Sequence, residues 1–175
     1  MKAISVFSAA IVTISLGVYN VMAQNFLPNG TYQFVNRVLD PSGNQVALTS
    51  NGPGTTVVLS TFVHNQANQL WAVGSTSQGI EIAAFGTKGT VTAATSGTLP
   101  QILRSLTGAG IVWDTTNIDG SITISDTSNR FNWASFPSTP VSGSIVVVQS
   151  AVPVTSSAGT SQLWVPVLVS ASTDL

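Results

Sequence analysis

The stretch Asn68-Gln69-Leu70-Trp71-Ala72-Val73 decides the fold, because it returns near the end of the chain as Ser161-Gln162-Leu163-Trp164-Val165. A looser copy between them, Gly110-Ile111-Val112-Trp113, keeps the Trp without the Gln. In an extended strand, alternation would place Gln69 and Trp71 on the same face. The Trp can then fill a core while the Gln amide binds backbone groups of a neighbouring turn. A device that recurs along a chain predicts a fold built from repeated units.

Short runs rich in Val, Ile, Thr and aromatics, bounded by Gly, Pro, Asn and Ser, predict β-strands throughout the chain from Gly30. There are twelve such runs, four in each unit: Thr31–Arg37, Gln45–Ser50, Thr56–Thr61, Gln69–Val73, Gly79–Ala84, Gly89–Thr95, Pro100–Ser105, Gly110–Thr115, Gly120–Ser125, Phe131–Phe136, Gly143–Gln149 and Gln162–Leu168. Three units of four strands predict an all-β β-trefoil, in which six strands close a barrel and six form a cap of hairpins. Residues 152–159 lengthen the third unit and are expected to form a loop insertion.

The composition argues against several classes of function. Only 6% of the 175 residues are charged and the formal net charge is -1, so no basic patch is available for a nucleic-acid partner. The chain has no Cys, which excludes thiol catalysis and thiolate metal sites. His64 is the single His, and the carboxylates are scattered one by one. We therefore expect no metal, no cofactor and no pair of catalytic carboxylates.

Residues 1–23 have the pattern of a secretory signal peptide, with Lys2 at the start, an apolar run and Ala23 at the cleavage position. We expect a secreted, extracellular protein with no membrane partner after signal removal, in preference to an uncleaved anchor. The remaining chain would divide into a short segment over residues 24–29, the β-trefoil over residues 30–169 and a tail over residues 170–175. Asn29 begins the only N-glycosylation sequon, Asn29-Gly30-Thr31, for which an unused turn is the alternative.

The segment Gly30-Thr31-Tyr32-Gln33-Phe34-Val35-Asn36-Arg37-Val38-Leu39, followed by Pro41-x-Gly43 and Ala47-Leu48-Thr49, resembles the opening of small fungal ricin B-type β-trefoil lectins. The similarity is greatest to those that recognise fucosylated chitobiose-type glycans, and it continues to the final Trp164. The resemblance implies a calcium-independent, non-catalytic binder whose partners are glycans or glycoproteins. It also implies a sugar site in the second unit, with aromatic side chains ahead of a Pro and just before a Val-Trp pair.

The residues of that second-unit site carry over only in part. Ala94 stands where the resemblance implies an aromatic platform, and Ile111 stands where a Tyr would fit. The alternatives are a different ligand, a site at another position or a loss of binding. Four residues match the second-unit sugar site by position and are candidate sugar-binding residues: Gly97, Leu99, Val112 and Trp113.

A further candidate sugar site, in the third unit, follows from the residues themselves. A pyranose offers C–H groups to an aromatic face and hydroxyls to amide or carboxyl groups. The segment 126–136 is the richest in both, so Asp126, Asn129 and Trp133 are candidate sugar-binding residues. The alternative, favoured because aromatics in small β cores are usually buried, assigns Trp133 to the core and the other two to a turn.

The sequence therefore predicts a secreted carbohydrate-binding protein with no catalytic residues. A competing hypothesis is a β-trefoil protease inhibitor that inserts Asn51–Gly54 or Pro153–Gly159 into a protease, which would then be its partner. A third hypothesis is a secreted structural or interaction protein that has lost its sugar site.

Overall fold

The computed structural model describes residues 27–87, 89–93, 101–108 and 110–171. The predicted signal peptide lies outside these ranges. A 3₁₀ turn at Ala67–Gln69 precedes the fourth strand, and a short helix, α1 (Ser157–Thr160), precedes the last. The strands are β1 (Gly30–Asn36), β2 (Val46–Thr49), β3 (Val58–Thr61), β4 (Trp71–Thr76), β5 (Gly79–Ala84), β6 (Gly89–Ala93), β7 (Gln101–Leu106), β8 (Trp113–Ile118), β9 (Ser121–Asp126), β10 (Phe131–Phe136), β11 (Ile145–Ser150) and β12 (Trp164–Ser170). Over the described residues, the prediction of an all-β fold with twelve strands is confirmed.

Six of the strands close a barrel, in which each pairs antiparallel with two others. The ring runs β1, β4, β5, β8, β9, β12 and back to β1. The other six strands form the hairpins β2–β3, β6–β7 and β10–β11, and β11 pairs with both β3 and β7. This is the β-trefoil topology. Because a closed ring has no free edge strand, it protects a chain with few charges from edge-to-edge association.

Side chains from the barrel and the hairpins meet in one apolar core. In β5, Ile80 and Ile82 point inward while Glu81 points away from the core, as strand alternation requires. Burying one aliphatic side chain of this size contributes about 1.5–3 kcal/mol. The largest fully buried side chains are Trp71, Trp113, Trp133, Trp164, Phe34, Leu48, Leu59, Ile80, Ile82, Leu103, Ile122 and Ile124.

The Gln of the first Gln-x-Trp pair lies in the turn before the strand. β4 begins at Trp71 and Gln69 ends the 3₁₀ turn, so the expectation that both side chains share a strand face is wrong. The predicted role of the amide is confirmed. The Oε1 atom of Gln69 accepts the backbone N–H of Val63 at 3.0 Å, and its Nε2 donates to the carbonyl of Thr61 at 2.8 Å.

The third unit repeats this arrangement. Gln162, which is completely buried, follows helix α1 and precedes β12. Its Oε1 accepts the backbone N–H of Val152 at 3.3 Å, and its Nε2 donates to the carbonyl of Ser150 at 2.9 Å. The longer connection of the third unit therefore leaves the two backbone hydrogen bonds of the Gln in place, while its side-chain partner is Asn132, whose Nδ2 donates to Oε1 at 2.9 Å.

In the second unit, a Thr hydroxyl replaces the missing Gln amide. Ile111, at the position of the Gln, packs half-buried against the core. The single hydroxyl hydrogen of Thr90 is shared between the carbonyls of Gly108, at 2.9 Å, and Leu106, at 3.2 Å, in the turn that a Gln amide would otherwise bind. The hydroxyl of Thr90 thus partly compensates for the Gln that the second unit lacks. Comparison of the three Trp segments alone does not reveal this, because Thr90 lies outside them.

Candidate functional site

The three repeated indoles are anchored in the same way, which gives the structural correspondence between the units. Trp71, Trp113 and Trp164 begin β4, β8 and β12, and all three are buried. Their indole N–H groups donate to the carbonyls of Leu48 (3.0 Å), Val91 (3.4 Å) and Trp133 (3.2 Å). Leu48, Val91 and Trp133 are therefore equivalent positions, and the other positions of the units follow from them.

The burial of Trp113 and Trp133 changes their expected part in a sugar site. Their exposed fractions are 1% and 0%, and their rings meet edge to face at a centroid distance of 5.0 Å. The expectation that Trp133 offers a face to a sugar does not fit this placement, and the alternative that assigns it to the core does. Trp113 can form the floor of a site, but it cannot serve as a stacking platform.

A cleft of about 360 Å³ opens beside Trp113, and we call it the second-unit cleft. Pairing of Asn132 with Ser125 brings β10 to β9, and pairing of Val148 with Gln101 brings β11 to β7. The residues that line it are Ala93, Gln101, Ile111, Trp113, Asp126, Phe131 and Val148. Two residues from separate predicted sites, Trp113 from the second unit and Asp126 from the third, thus meet in one cleft.

Phe131 supplies the aromatic wall of the second-unit cleft. The ring is half-buried and packs against the core on its inner side. The guanidinium of Arg130 lies 5.5 Å from the ring centroid, a distance at which a cation is attracted to an aromatic face. The cleft thus combines an aromatic ring with the side chains of Gln101 and Asp126.

Asp126 has a structural role in the turn between β9 and β10 as well as a place in the cleft. Its Oδ1 accepts the backbone N–H groups of Arg130 at 3.1 Å and Phe131 at 3.0 Å, and its Oδ2 accepts the hydroxyl of Ser128. Partial burial acts to raise the pKa of Asp126, but these hydrogen bonds outweigh it and hold the pKa below the usual value. The cleft therefore contains an ionised carboxylate, an acceptor of hydrogen bonds, at neutral pH.

Asn129 lies in the same turn and has a left-handed backbone, with φ +55°. Its N–H donates to the carbonyl of Asp126 at 2.8 Å, and its Oδ1 accepts the hydroxyl of Ser125 at 2.8 Å. Asn tolerates this conformation better than most residues. The structure thus fits the alternative that assigned Asn129 to a turn, because its side-chain oxygen is occupied by the hydrogen bond from Ser125.

A second carboxylate, Asp114, lies on β8 beside the cleft. β8 and β9 pair directly, with Trp113 opposite Asp126 and Asp114 opposite Ser125. Burial raises the pKa of Asp114, and the negative charge of Asp126 raises it further. The pKa of Asp114 is therefore raised and the pKa of Asp126 lowered, relative to the ordinary value of an Asp carboxyl group.

The other predicted residues lie in different places. Val112 is half-buried between two residues of the cleft lining, and Gly97 and Leu99 lie outside the described residues. Asn29, the sequon residue, is exposed, and its Oδ1 accepts the N–H of Ser75 at 2.7 Å. Sequence reasoning missed Gln101, because the pairing of β7 with β11 that brings it to the cleft has no local sequence signal.

The described ranges contain no helix with the length and apolar character needed to cross a bilayer. The same ranges contain no group of three His, Cys, Asp or Glu side chains that could hold a metal ion.

Comparison with known proteins gives one family and several similar folds. The sequence matches the CCL2 lectin-like family over residues 30–164. No curated protein sequence matches the chain significantly. The ricin B-like lectin of Macrolepiota procera, solved with lactose, is 14% identical with a TM-score of 0.66, over 81% of this chain and 97% of its own.

Two further solved structures have the same fold. The agglutinin of Rhizoctonia solani is 20% identical with a TM-score of 0.65, over 81% of this chain and 96% of its own. A proteinase inhibitor from Coprinopsis cinerea is 15% identical with a TM-score of 0.58, over 82% of this chain and 99% of its own. At these identities the likeness shows the fold alone, since one fold supports many functions.

Proposed function

The chain belongs to the CCL2 lectin-like family, and from that premise we propose that it is a secreted, non-catalytic carbohydrate-binding protein. It binds a neutral glycan in the second-unit cleft by stacking and hydrogen bonds. Its partners are then glycans or glycoproteins outside the cell. The sequence pattern of residues 1–23 supports secretion, and the family supports carbohydrate binding.

The observation that carries the proposal is the mixture of groups in the second-unit cleft. The ring of Phe131 offers an apolar surface to the C–H face of a pyranose. Gln101 offers both donors and acceptors to hydroxyl groups, and the carboxylate of Asp126 offers acceptors. A mostly apolar cleft with a few fixed polar groups is typical of small-molecule sites.

The carboxylates near this cleft support binding without catalysis. A glycosidase places two carboxyl groups across one bond and keeps one of them protonated as the acid. The pKa of Asp126 is lowered, which is the wrong direction for a general acid. The pKa of Asp114 is raised, but Asp114 is not among the described residues that line the cleft.

Glycan-array binding at two salt concentrations, followed by titration calorimetry with the strongest glycan, tests the proposal. Phe131→Ala should weaken binding at least tenfold, which corresponds to ~1.4 kcal/mol. Gln101→Ala removes a half-buried side chain from the rim and should weaken binding several-fold without affecting the core.

Phe136→Ala is the matched control, because Phe136 lies at the other end of β10 and is 51% exposed. It should bind like the wild type, and circular dichroism should show that all three variants are folded. An array without any glycan signal, or equal affinities for wild type, Phe131→Ala and Gln101→Ala, would contradict the proposed site.

The protease-inhibitor hypothesis has one structural feature in its favour, the exposed turn at Asn51–Gly54. Gly52 and Gly54 have positive φ values of +112° and +81°, with open space around both. The other candidate segment, Pro153–Gly159, folds back on itself, since Ser156 N–H donates to the carbonyl of Pro153 at 3.1 Å. Inhibition of a papain-type or trypsin-type protease that is lost when Pro53 is replaced by Asp, together with no glycan binding, would favour this alternative.

A further inference from the structure

The connection between β2 and β3 contains one of the two Asn-Gly pairs of the chain, Asn51-Gly52, and the other pair, Asn29-Gly30, stands at the start of β1. An Asn that precedes a Gly can modify itself, because the backbone nitrogen of the Gly can attack the side-chain carbonyl carbon of the Asn. A Gly hinders this attack least, since it has no Cβ. In a folded protein the attack also requires that both groups are free to move together, so the two pairs can be compared within one molecule.

The side chain of Asn51 is free to reach the following peptide group. Asn51 is exposed, and neither its side-chain amide nor its backbone forms a hydrogen bond with any of the described residues. An amide that is not held by a partner rotates about its side-chain bonds at little cost. Its carbonyl carbon can therefore approach the nitrogen of Gly52 without the loss of any contact.

The backbone nitrogen of Gly52 is equally accessible. Among the described residues its N–H donates only to the hydroxyl oxygen of Ser50, at 3.3 Å. This distance is longer than the ~2.7–3.2 Å of an ordinary N–H···O bond, so the hydrogen bond is weak. No atom lies within 4 Å of the place where a Cβ of Gly52 would be. The nitrogen that would act as the nucleophile is thus weakly held and open to water.

The chain is fixed on both sides of this peptide group. On one side, the N–H of Ser50 donates to the carbonyl of Asn68 at 2.8 Å. On the other side, the N–H of Gly54 donates to the carbonyl of Ser105 at 2.5 Å. A ring can therefore form at the tip of the turn while these two hydrogen bonds, and the strands that they attach, stay in place.

The other pair, Asn29-Gly30, is held at both reacting groups. The Oδ1 of Asn29 accepts the N–H of Ser75 at 2.7 Å, which fixes the side-chain amide. Gly30 is buried in β1, where it pairs with Val73, and a Cβ there would lie 2.8 Å from the carbonyl oxygen of Ser170. Ring closure at Asn29 would have to break the hydrogen bond to Ser75 and displace the first residue of a barrel strand.

From this contrast we propose that Asn51 is a site of self-modification, which deamidates through a cyclic succinimide in the folded protein while Asn29 is protected. Hydroxide removes the N–H proton of Gly52, and the nitrogen then forms a bond to Cγ of Asn51. The C–N bond of the side-chain amide breaks, and the amide nitrogen takes a proton from water and leaves as ammonia, which restores the hydroxide. One water molecule then opens the succinimide at either carbonyl and gives Asp or isoaspartate.

The modification changes the surface of the protein and leaves its core alone. Either product adds one negative charge to a chain whose formal net charge is -1 and of which only 6% is charged. Isoaspartate also adds a side-chain carbon to the path of the backbone at the tip of the turn. The proposal does not depend on carbohydrate binding, since Asn51 is not part of the lining of the second-unit cleft. An aged molecule would therefore carry a new carboxylate at an exposed turn.

Incubation of the protein in water labelled with heavy oxygen, followed by peptide mapping with mass spectrometry, tests the proposal. A bacterial host is used for expression, because it adds no N-glycan at Asn29. Each deamidation in the labelled water adds one heavy oxygen atom, which separates this reaction from changes that preceded the incubation. We expect Asp and isoaspartate at position 51, formed faster at mildly alkaline pH than at neutral pH. The reaction at Asn51 should be at least about tenfold faster than at Asn29, which corresponds to ~1.4 kcal/mol in activation free energy.

Two controls separate the effect of the fold from that of the Asn-Gly sequence. In guanidinium, both pairs should react at similar rates, because unfolding removes the hydrogen bond to Asn29 and the strand pairing of Gly30. Asn51→Gln keeps an amide but would have to close a larger ring, so it should not react, and the slow reaction at Asn29 should be unchanged. Equal rates at the two pairs in the folded protein, Asp without isoaspartate at position 51, or reaction at Asn51 only after unfolding would each overturn the proposal.

Discussion

Replacing Gln69 by Ala tests whether the buried Gln amide, rather than the indole alone, holds a unit together. The side chain is 1% exposed. Besides the bonds to Val63 and Thr61, its Nε2 donates to the hydroxyl of Ser60 at 2.8 Å, and its Oε1 lies 3.4 Å from Nε2 of Gln33. Truncation leaves the N–H of Val63 and the carbonyl of Thr61 without this partner, while Ser60 keeps its hydrogen bond to Thr49 and Gln33 keeps its bond to the carbonyl of Val63.

The expected loss of stability follows from the two backbone groups. A buried donor or acceptor left unpaired costs about 1–3 kcal/mol, and the N–H of Val63 and the carbonyl of Thr61 both lose their partner. Because both hydrogen bonds are only partly buried and water reaches these residues, we expect the lower part of the summed range, a fall of ~2–3 kcal/mol in the free energy of unfolding. For a chain of this size, 1 kcal/mol lowers the melting temperature by about 2–4 °C, so a loss of ~3 kcal/mol would lower it by about 6–12 °C.

Urea unfolding followed by Trp fluorescence measures the effect, because all four indoles are buried in the folded state. Gln66→Ala is the matched control, since Gln66 is exposed three residues earlier and its side chain makes no capping hydrogen bond. It should change the free energy of unfolding by less than about 0.5 kcal/mol. Equal stabilities for Gln69→Ala and Gln66→Ala would refute the argument that the amide stabilises the turn.

Four other changes have defined outcomes. Trp133→Ala should cost about 3–5 kcal/mol of stability in urea unfolding, so its effect on sugar binding reports the core and not a contact. Gly79→Ala should cost about 1–3 kcal/mol by the same assay, because a Cβ there would lie 2.6 Å from the carbonyl oxygen of Trp113 at a φ of +151°. In thermal unfolding across pH 3–7, Asp114→Asn should raise the melting temperature at neutral pH and lose that advantage in acid. The reason is that a raised pKa makes the carboxyl group favourable only while it is protonated, and its contribution is lost as the pH rises through the folded-state pKa. Asp126→Asn should do the opposite, because a lowered pKa gives stability above the ordinary value of 3.8 that is lost as the pH falls through the folded-state pKa.

The strands could be predicted from the sequence because their signals are local. Runs of β-branched residues between turn residues predicted Gly79–Ala84 and Phe131–Phe136, and β5 and β10 have these bounds. The turn at Asp119-Gly120, between β8 and β9, has positive φ at both residues, +50° and +75°, as an Asp-Gly pair between two strands favours. The prediction that Gln69 lies in the strand with Trp71 was wrong, because the sequence pattern of three residues does not distinguish a 3₁₀ turn from the start of a strand.

The burial of Trp133 could not be predicted from alternation. Alternation tells which residues share a face, but four consecutive residues of β10, Asn132 to Ser135, are all buried. In a strand covered on both sides, no face is reserved for a ligand, so a cluster of aromatic and polar residues does not identify a site. The convergence of Gln101 and Asp126 on one cleft likewise depends on pairing between distant strands.

The differences between the units point to function more directly than their similarities. The repeated indoles and the buried Gln amides hold the core and turns in place, so those positions are constrained by stability. Ala84, Asp126 and Asn36 each pair with the repeated Trp of a unit. The residue that follows them in the chain has no such constraint, and it is Phe85, Thr127 and Arg37 respectively. A threefold scaffold can therefore present three different surfaces at one repeated place without a change in its core. The aromatic ring at Phe85 and the carboxylate at Asp126 are departures from the repeat, and departures of this kind are where a ligand can tell one unit from another.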